Sequence, residues 1–245
     1  KTSTKLELNI WRGLIYWILA NFDVLKSQIK QESESENNYQ SQMIKLGVFY
    51  CPENDLKNNI ESIKSYFTSR SQTNKYLDHL VHTTIYVFDT DLIELNEIIE
   101  EFESLQNKLH PQSLQITNWK VFENDILTSL NTLCLEIELT NHLRLFQENI
   151  VKTLSKFHSN ERNNAFKGDL KRSNDKYGYP FVGRHWIPHL TIGSLEIESN
   201  KILDYTDGLF DFSRKIIINN LCLFKIEGDS HLLIKKIEFW KKSLI

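Results

Sequence analysis

Hydrophobic periodicity gives the same run of elements twice along this chain, and that repeat limits the fold more than any other feature. A strand over Ile44–Tyr50 is followed, after Cys51-Pro52, by a helix with Leu56, Ile60, Ile63 and Phe67 on one side. A strand opening at His82 comes next, then a helix from about Asp91 to Leu109 and a strand over Leu114–Phe122. The order then recurs: strand Leu133–Leu139, helix Asn141–Phe157, a strand opening at His189, a helix around Asn200–Phe210 and a strand over Lys215–Ile226. A last strand, His231–Phe239, is set off by the hairpin signal Glu227-Gly228-Asp229-Ser230. The chain thus reads β-α-β-α-β twice. The duplication lies in element order, not in residue identity.

The second strand of each unit opens on one pattern, His82-Thr83-Thr84-Ile85 and His189-Leu190-Thr191-Ile192. Side chains two apart on a strand share a face, so each stretch sets an imidazole beside a hydroxyl. One His-x-Thr is noise; two at equivalent places make His82 and His189 symmetry equivalents. Two such lobes about a pseudo-two-fold axis bring both faces to one cleft. The expected fold is α+β: bilobal, with duplicated β-α-β-α-β units, mainly antiparallel sheets around a central cleft and helices outside.

At 245 residues the chain holds one large domain or two lobes sharing a core, since roughly 100–200 residues form a domain. Hydrophobic residues at 40% and charged residues at 25% are ordinary globular usage. A net charge of −3 argues against a binder of long duplex nucleic acid, which needs a broad basic face. A small anionic substrate in a locally basic cleft is compatible with it. The three cysteines, Cys51, Cys134 and Cys222, lack metal-type spacing. Their odd number suits a reducing compartment, so the expected location is cytoplasmic. The chain begins at Lys1 and its single methionine is Met43, as expected of a processed chain.

Ahead of the duplicated body, residues 1–30 read as an amphipathic helix, with Ile10, Leu14, Trp17 or Ile18, Phe22 and Leu25 at helical spacing. Its apolar run, Gly13 to Ala20, falls far short of the roughly 20 residues that span a bilayer. Its polar face lacks the Lys/Arg richness of a membrane-surface helix. It is assigned to core docking, a self-contact or a partner. Residues 31–43 are polar and acidic and read as a linker. The body spans 44–245, with one lobe over about 44–125 and the other over about 126–245.

The paired motifs, the duplicated element order and the run Trp186-Ile187-Pro188-His189-Leu190-Thr191 resemble the two-histidine phosphoesterases, a superfamily that includes 2′,5′-RNA ligase-like proteins and cyclic-nucleotide phosphodiesterases. The resemblance covers roughly Ile44 to Phe239. It implies cofactor-free and metal-free chemistry on phosphodiesters with a neighbouring ribose hydroxyl. His82 and His189 would be the catalytic pair, and Thr84 and Thr191 the phosphate-binding hydroxyls. Thr83 stands where the family usually has an aliphatic spacer. Gly193 and Ser194 replace the small-then-basic residues that often follow the second motif.

The chemistry follows from the residue types as well. Opening a 2′,3′-cyclic phosphate needs a proton taken from water and another given to the departing ribose oxygen. Histidine, with an ordinary pKa near 6.5, serves either role near neutral pH. Each threonine can hydrogen-bond a non-bridging oxygen as charge redistributes. Zinc is the chemical rival, because His79 and His82 are three apart and His185 and His189 four apart. Pro188 makes a helix there implausible, and no Asp, Glu or Cys ligand set lies close in sequence. His110, His142, His158 and His231 fall at element ends or turns and are expected to be exposed.

Residues 159–187 are too long for an ordinary connection of about 4–6 residues. They carry six basic residues against three acidic, with Phe166, Tyr177, Tyr179, Phe181 and Trp186 among them. Basic groups interleaved with aromatics suit a phosphate and a stacked base. Tyr177, Tyr179, Arg184 and Trp186 are therefore expected to bind substrate. Tyr86, two beyond Thr84, is expected to look into the same cleft. The reading is a metal-independent phosphodiesterase acting on a cyclic or 2′-linked phosphodiester of a nucleotide or short oligonucleotide. Its rivals are a nucleotide- or RNA-binding module with little turnover, and an interaction protein working through the N-terminal helix.

Overall fold

The computed structural model describes residues 42–71, 74–125, 128–159, 166–213 and 215–239. The N-terminal helix and nearly all of the linker expected from the sequence lie outside the described residues. The chain divides into Lys1–Gln42 and Met43–Ile245. The second unit holds both motifs.

Among the described residues nine strands build its frame: β1 (Met43–Tyr50), β2 (Asn74–Lys75), β3 (Thr83–Asp91), β4 (Gln112–Phe122), β5 (Asn131–Ile137), β6 (His189–Leu195), β7 (Lys215–Ile218), β8 (Asn220–Glu227) and β9 (Ser230–Glu238). They form a four-stranded sheet in the order β3-β1-β8-β9 and a five-stranded sheet in the order β2-β6-β5-β4-β7. Every pairing is antiparallel. The helices are α1 (Asn54–Thr68), α2 (Leu95–Lys108), α3 (Asn141–Leu154), α4 (Gly168–Tyr177) and α5 (Ser199–Asp204).

The strand order shows something that periodicity cannot. The third strand of each unit leaves its own half: β4 pairs with β5, and β8 pairs with β1. Each sheet therefore takes strands from both halves, so the lobes are not the sequence halves 44–125 and 126–245. The expected strand Lys215–Ile226 is cut at Asn219 for the same reason, because β7 belongs to one sheet and β8 to the other. The Asn219 carbonyl accepts from Phe239 N at 2.7 Å, and the Asn220 side chain donates to the Cys51 carbonyl at 3.3 Å. Those bonds satisfy backbone groups that a ladder would otherwise take up.

Each main helix buries the stripe that its spacing dictates. Leu56, Ile60, Ile63 and Phe67 of α1 are buried, as are Leu143, Phe146, Ile150, Val151 and Leu154 of α3. Thr140 caps α3 by accepting from Leu143 N. Each helix also buries one polar residue within that stripe, Lys64 on α1 and Gln147 on α3. Both prove to serve the histidines. The long connection before β6 is less irregular than expected, since it contains α4 and a short 3-10 turn over Gly183–His185.

Candidate active site

His82 immediately precedes β3, and His189 is the first residue of β6. The two strands approach one another, and a charge on His189 would disfavour a proton on His82. Trp186 ties the motifs together directly: its indole N–H donates to the Thr84 carbonyl at 2.9 Å.

One backbone device shapes both motifs. In the β1–β3 ladder Val48 faces Tyr86 and Phe49 faces Thr84, so Ile85 is an extra residue. In the β5–β6 ladder Leu133 faces Gly193 and Cys134 faces Thr191, so Ile192 is the extra residue. Each His-x-Thr is thus followed by a β-bulge at its isoleucine. A bulge shifts the alternation by one, so side chains beyond it change faces. This corrects the expectation for Tyr86, which is fully buried in the core, where its hydroxyl donates to the Tyr177 carbonyl. Gly193 holds the equivalent place in β6, and a Cβ there would come within 2.6 Å of the Leu77 side chain.

The two imidazoles are also held alike. His82 Nδ1 lies 2.8 Å from the Leu80 carbonyl and His189 Nδ1 lies 2.7 Å from the Ile187 carbonyl. A carbonyl only accepts, so each Nδ1 carries the proton and each Nε2 keeps its lone pair. Burial lowers the pKa of both rings, that of His82 to about 4. Thr191 Oγ1 lies 3.9 Å from Cys134 Sγ on the neighbouring strand.

A buried polar side chain secures the approach to each motif. Lys64, only 4% exposed, donates to the carbonyls of Tyr76 at 2.7 Å and His79 at 2.9 Å. It thereby fixes the turn that delivers Leu80 and His82; Tyr76 in that turn has a φ of 68°. Gln147 donates to the carbonyl of the bulge residue Ile85 at 3.1 Å and to that of Phe181 at 2.8 Å. It also accepts from Gly183 N at 2.8 Å, so it holds the β3 bulge and the lead into His189 together.

The surroundings of the two rings differ. His82 stacks on Phe49 at 4.2 Å, and His231 sits 5.4 Å away, itself 5.7 Å from His79. The Phe49 ring reaches this position by lying over Gly47, where a Cβ would approach it to 2.5 Å. On the other side, His189 faces Glu136 across the ladder, and Thr191, Cys134 and Lys120 form a row across three strands. Direct cross-strand partners share a face, so these groups line one surface. Lys120 pairs with Glu136 and holds its carboxyl below the usual range. Phe122 meets His189 edge-on at 5.3 Å.

The expected substrate-binding loop is placed otherwise. Trp186 is buried, and Tyr177 and Tyr179 pack against the core rather than offering open faces. Arg184 is exposed and paired with Asp169. His110 and His142 are exposed as expected, whereas His231 is half-buried beside His82. Among the described residues no group of three or more His, Cys, Asp or Glu could hold a metal ion, and no helix is long and apolar enough to cross a membrane. A cavity of about 520 Å³ between α2 and α3, lined by Glu101, Lys108, Lys152 and Lys156, does not include either motif.

Sequence reasoning missed Lys64, Gln147, Phe49, Lys120 and Glu136. Only Lys64 and Gln147 left a trace, as polar residues on the apolar stripes of α1 and α3.

No protein-family model matches the chain, and neither does any curated protein. Solved structures do. The structure of TT0787 from Thermus thermophilus aligns over 80% of this chain and 98% of its own, with a TM-score of 0.54 and 12% identity. Apo LigT from E. coli aligns over 82% of this chain and all of its own, with a TM-score of 0.49 and 10% identity. The likeness is one of fold: the chain shares the α+β frame of TT0787, with its two antiparallel sheets and flanking helices.

Proposed function

We propose that the protein is a metal-independent phosphodiesterase that opens a cyclic or 2′-linked phosphodiester of a nucleotide or short oligonucleotide. One observation carries this reading: two imidazoles on strands that approach one another each spend Nδ1–H on a backbone carbonyl and keep Nε2 for chemistry. A pure binding module has no need of that matched pair. In hydrolysis of a 2′,3′-cyclic phosphate, His82 takes the proton from water and His189 gives one to the departing ribose oxygen. The charges around them support this division. His231 and Lys64 both disfavour protonated His82, whereas around His189 the Lys120 cation, which disfavours protonation, is opposed by Asp125 and Glu136. Thr84 and Thr191 hydrogen-bond the non-bridging oxygens.

The test is turnover of 2′,3′-cyclic mononucleotides, short RNAs ending in a cyclic phosphate, and 2′,5′-oligoadenylates, each with and without EDTA. Activity unchanged by EDTA is expected. The pH profile of kcat/KM should be a bell centred below 6.5, because both imidazoles titrate below their ordinary value in the free protein. Activity lost to EDTA and restored by zinc overturns the reading.

A further inference from the structure

A lysine is an expensive side chain to bury, because removing its charge from water disfavours the charged form. Lys64 is nonetheless almost fully buried, and its Nζ bonds are to two neutral carbonyls. Gln147 shows what such a clamp requires. It secures the corresponding approach in the other half with the same number of donated bonds and no charge. The charge on Lys64 is therefore surplus to holding the turn.

On the proposed phosphodiesterase reading, we infer that Lys64 is a positioning residue whose buried positive charge, behind the turn it clamps, draws the phosphodiester toward His82 and adds to burial and His231 in disfavouring a proton on that ring. The groups around it are few. Asp78 in the clamped turn and Glu61 on its own helix favour the charge. His82 and Cys134, both in or beside the motifs, feel that charge in return. Cys134 is the cross-strand partner of Thr191, so the field of Lys64 reaches both motifs.

Burial pushes the Lys64 amine down to about 8. Deprotonation leaves an –NH2 group with two hydrogens, enough for both carbonyls, so the clamp survives while the charge disappears. Charge and clamp can thus be separated in the unmodified protein by pH alone.

The experiment follows the His82 imidazole by NMR. In wild-type protein between pH 6 and 10, above the imidazole's own titration, the His82 resonances should shift near pH 8 as Lys64 titrates, with the rest of the spectrum little changed. In Lys64→Gln, which keeps donors and removes charge, that step should vanish. The His82 pKa should rise by about one unit, and kcat/KM at pH 6 should fall about tenfold, chiefly through KM. Lys64→Arg should keep the charge and recover part of the loss. A flat His82 response near pH 8 in wild-type protein overturns the inference even if Lys64→Gln does not fold. So does a Lys64→Gln protein with wild-type kcat/KM. The NMR arm needs no substrate, so a protein inactive on every phosphodiester tried would refute the proposed function and still test the link from Lys64 to His82.

Discussion

The two halves of this molecule bring an imidazole to the site with the same backbone parts and then surround it differently. Each has a strand beginning at the histidine, a carbonyl two residues back on Nδ1, a bulge at the isoleucine after the threonine, and a buried polar residue on the preceding helix. Around His82 the wall is aromatic, with Phe49, His231 and His79, and the buried group behind it is a cation. Around His189 the wall is ionic, with Glu136 and Lys120, and the buried group behind it is a neutral amide. Symmetry fixes where the two nitrogens point. On the proposed reading, the asymmetry assigns one ring to give a proton and the other to take one.

The sharpest way to break the comparison is to remove each ring. His82→Ala and His189→Ala should each lower kcat by about 10²–10⁴-fold, with the double variant little worse, because the pair acts as a unit. A nucleotide 4-nitrophenyl phosphodiester has a leaving group that needs no proton. His189→Ala should regain most of its rate on that substrate, and His82→Ala should not. Equal rescue of both would show that the two walls assign no roles.

Next in size is the aromatic wall. Phe49→Ala removes a ring that is 1% exposed, so urea unfolding should show a loss of about 3–5 kcal/mol. Phe122→Ala, in the half-buried equivalent beside His189, should cost much less. Equal losses would mean that the walls differ in chemistry only and not in packing.

The ionic wall should answer to pH. Lys120 depresses the His189 pKa, whereas Glu136 raises it. In Lys120→Met the carboxylates of Asp125 and Glu136 act unopposed, so the alkaline limb of kcat/KM should move to higher pH, with KM up by roughly threefold to tenfold from the lost cation. A limb that stays in place would indicate that His189 is not the acid.

The smallest effect expected is a gain. Thr83 points into the core, 1% exposed, and its hydroxyl has no hydrogen-bond partner among the described residues. Thr83→Val should stabilise the protein by about 1 kcal/mol in thermal or urea unfolding without altering kcat.

Much of this frame was legible because periodicity reports which face of an element is buried. The strands at Ile44 and Leu133, the helices after Pro52 and Thr140, and both His-x-Thr stretches stand where the pattern put them. The bulges were not legible, since Ile85 and Ile192 look like any strand residue and the shift they cause is a property of the partner strand. That is why Tyr86 was expected on the wrong face. The aromatics of residues 159–187 were expected to bind substrate because the stretch looked like a loop. Once α4 forms, Tyr177 and Tyr179 have a core to pack against. His231 and Glu136 are remote from the motifs in sequence, and only cross-strand register brings them near.

The exchanged strands also have a consequence in time. β1 is the first described strand to leave the ribosome, and Phe49 needs Cys222 beside it to complete the sheet. At about 5–20 residues per second, synthesis of the intervening chain takes on the order of ten seconds or more. During that interval β1 can pair with β3 on one side only, and its other edge, with Phe49 and Val48 on it, is open to any passing strand. A nascent chain of this protein therefore carries a sticky edge for most of its translation, and its yield should depend on holdase chaperones more than its final stability would suggest.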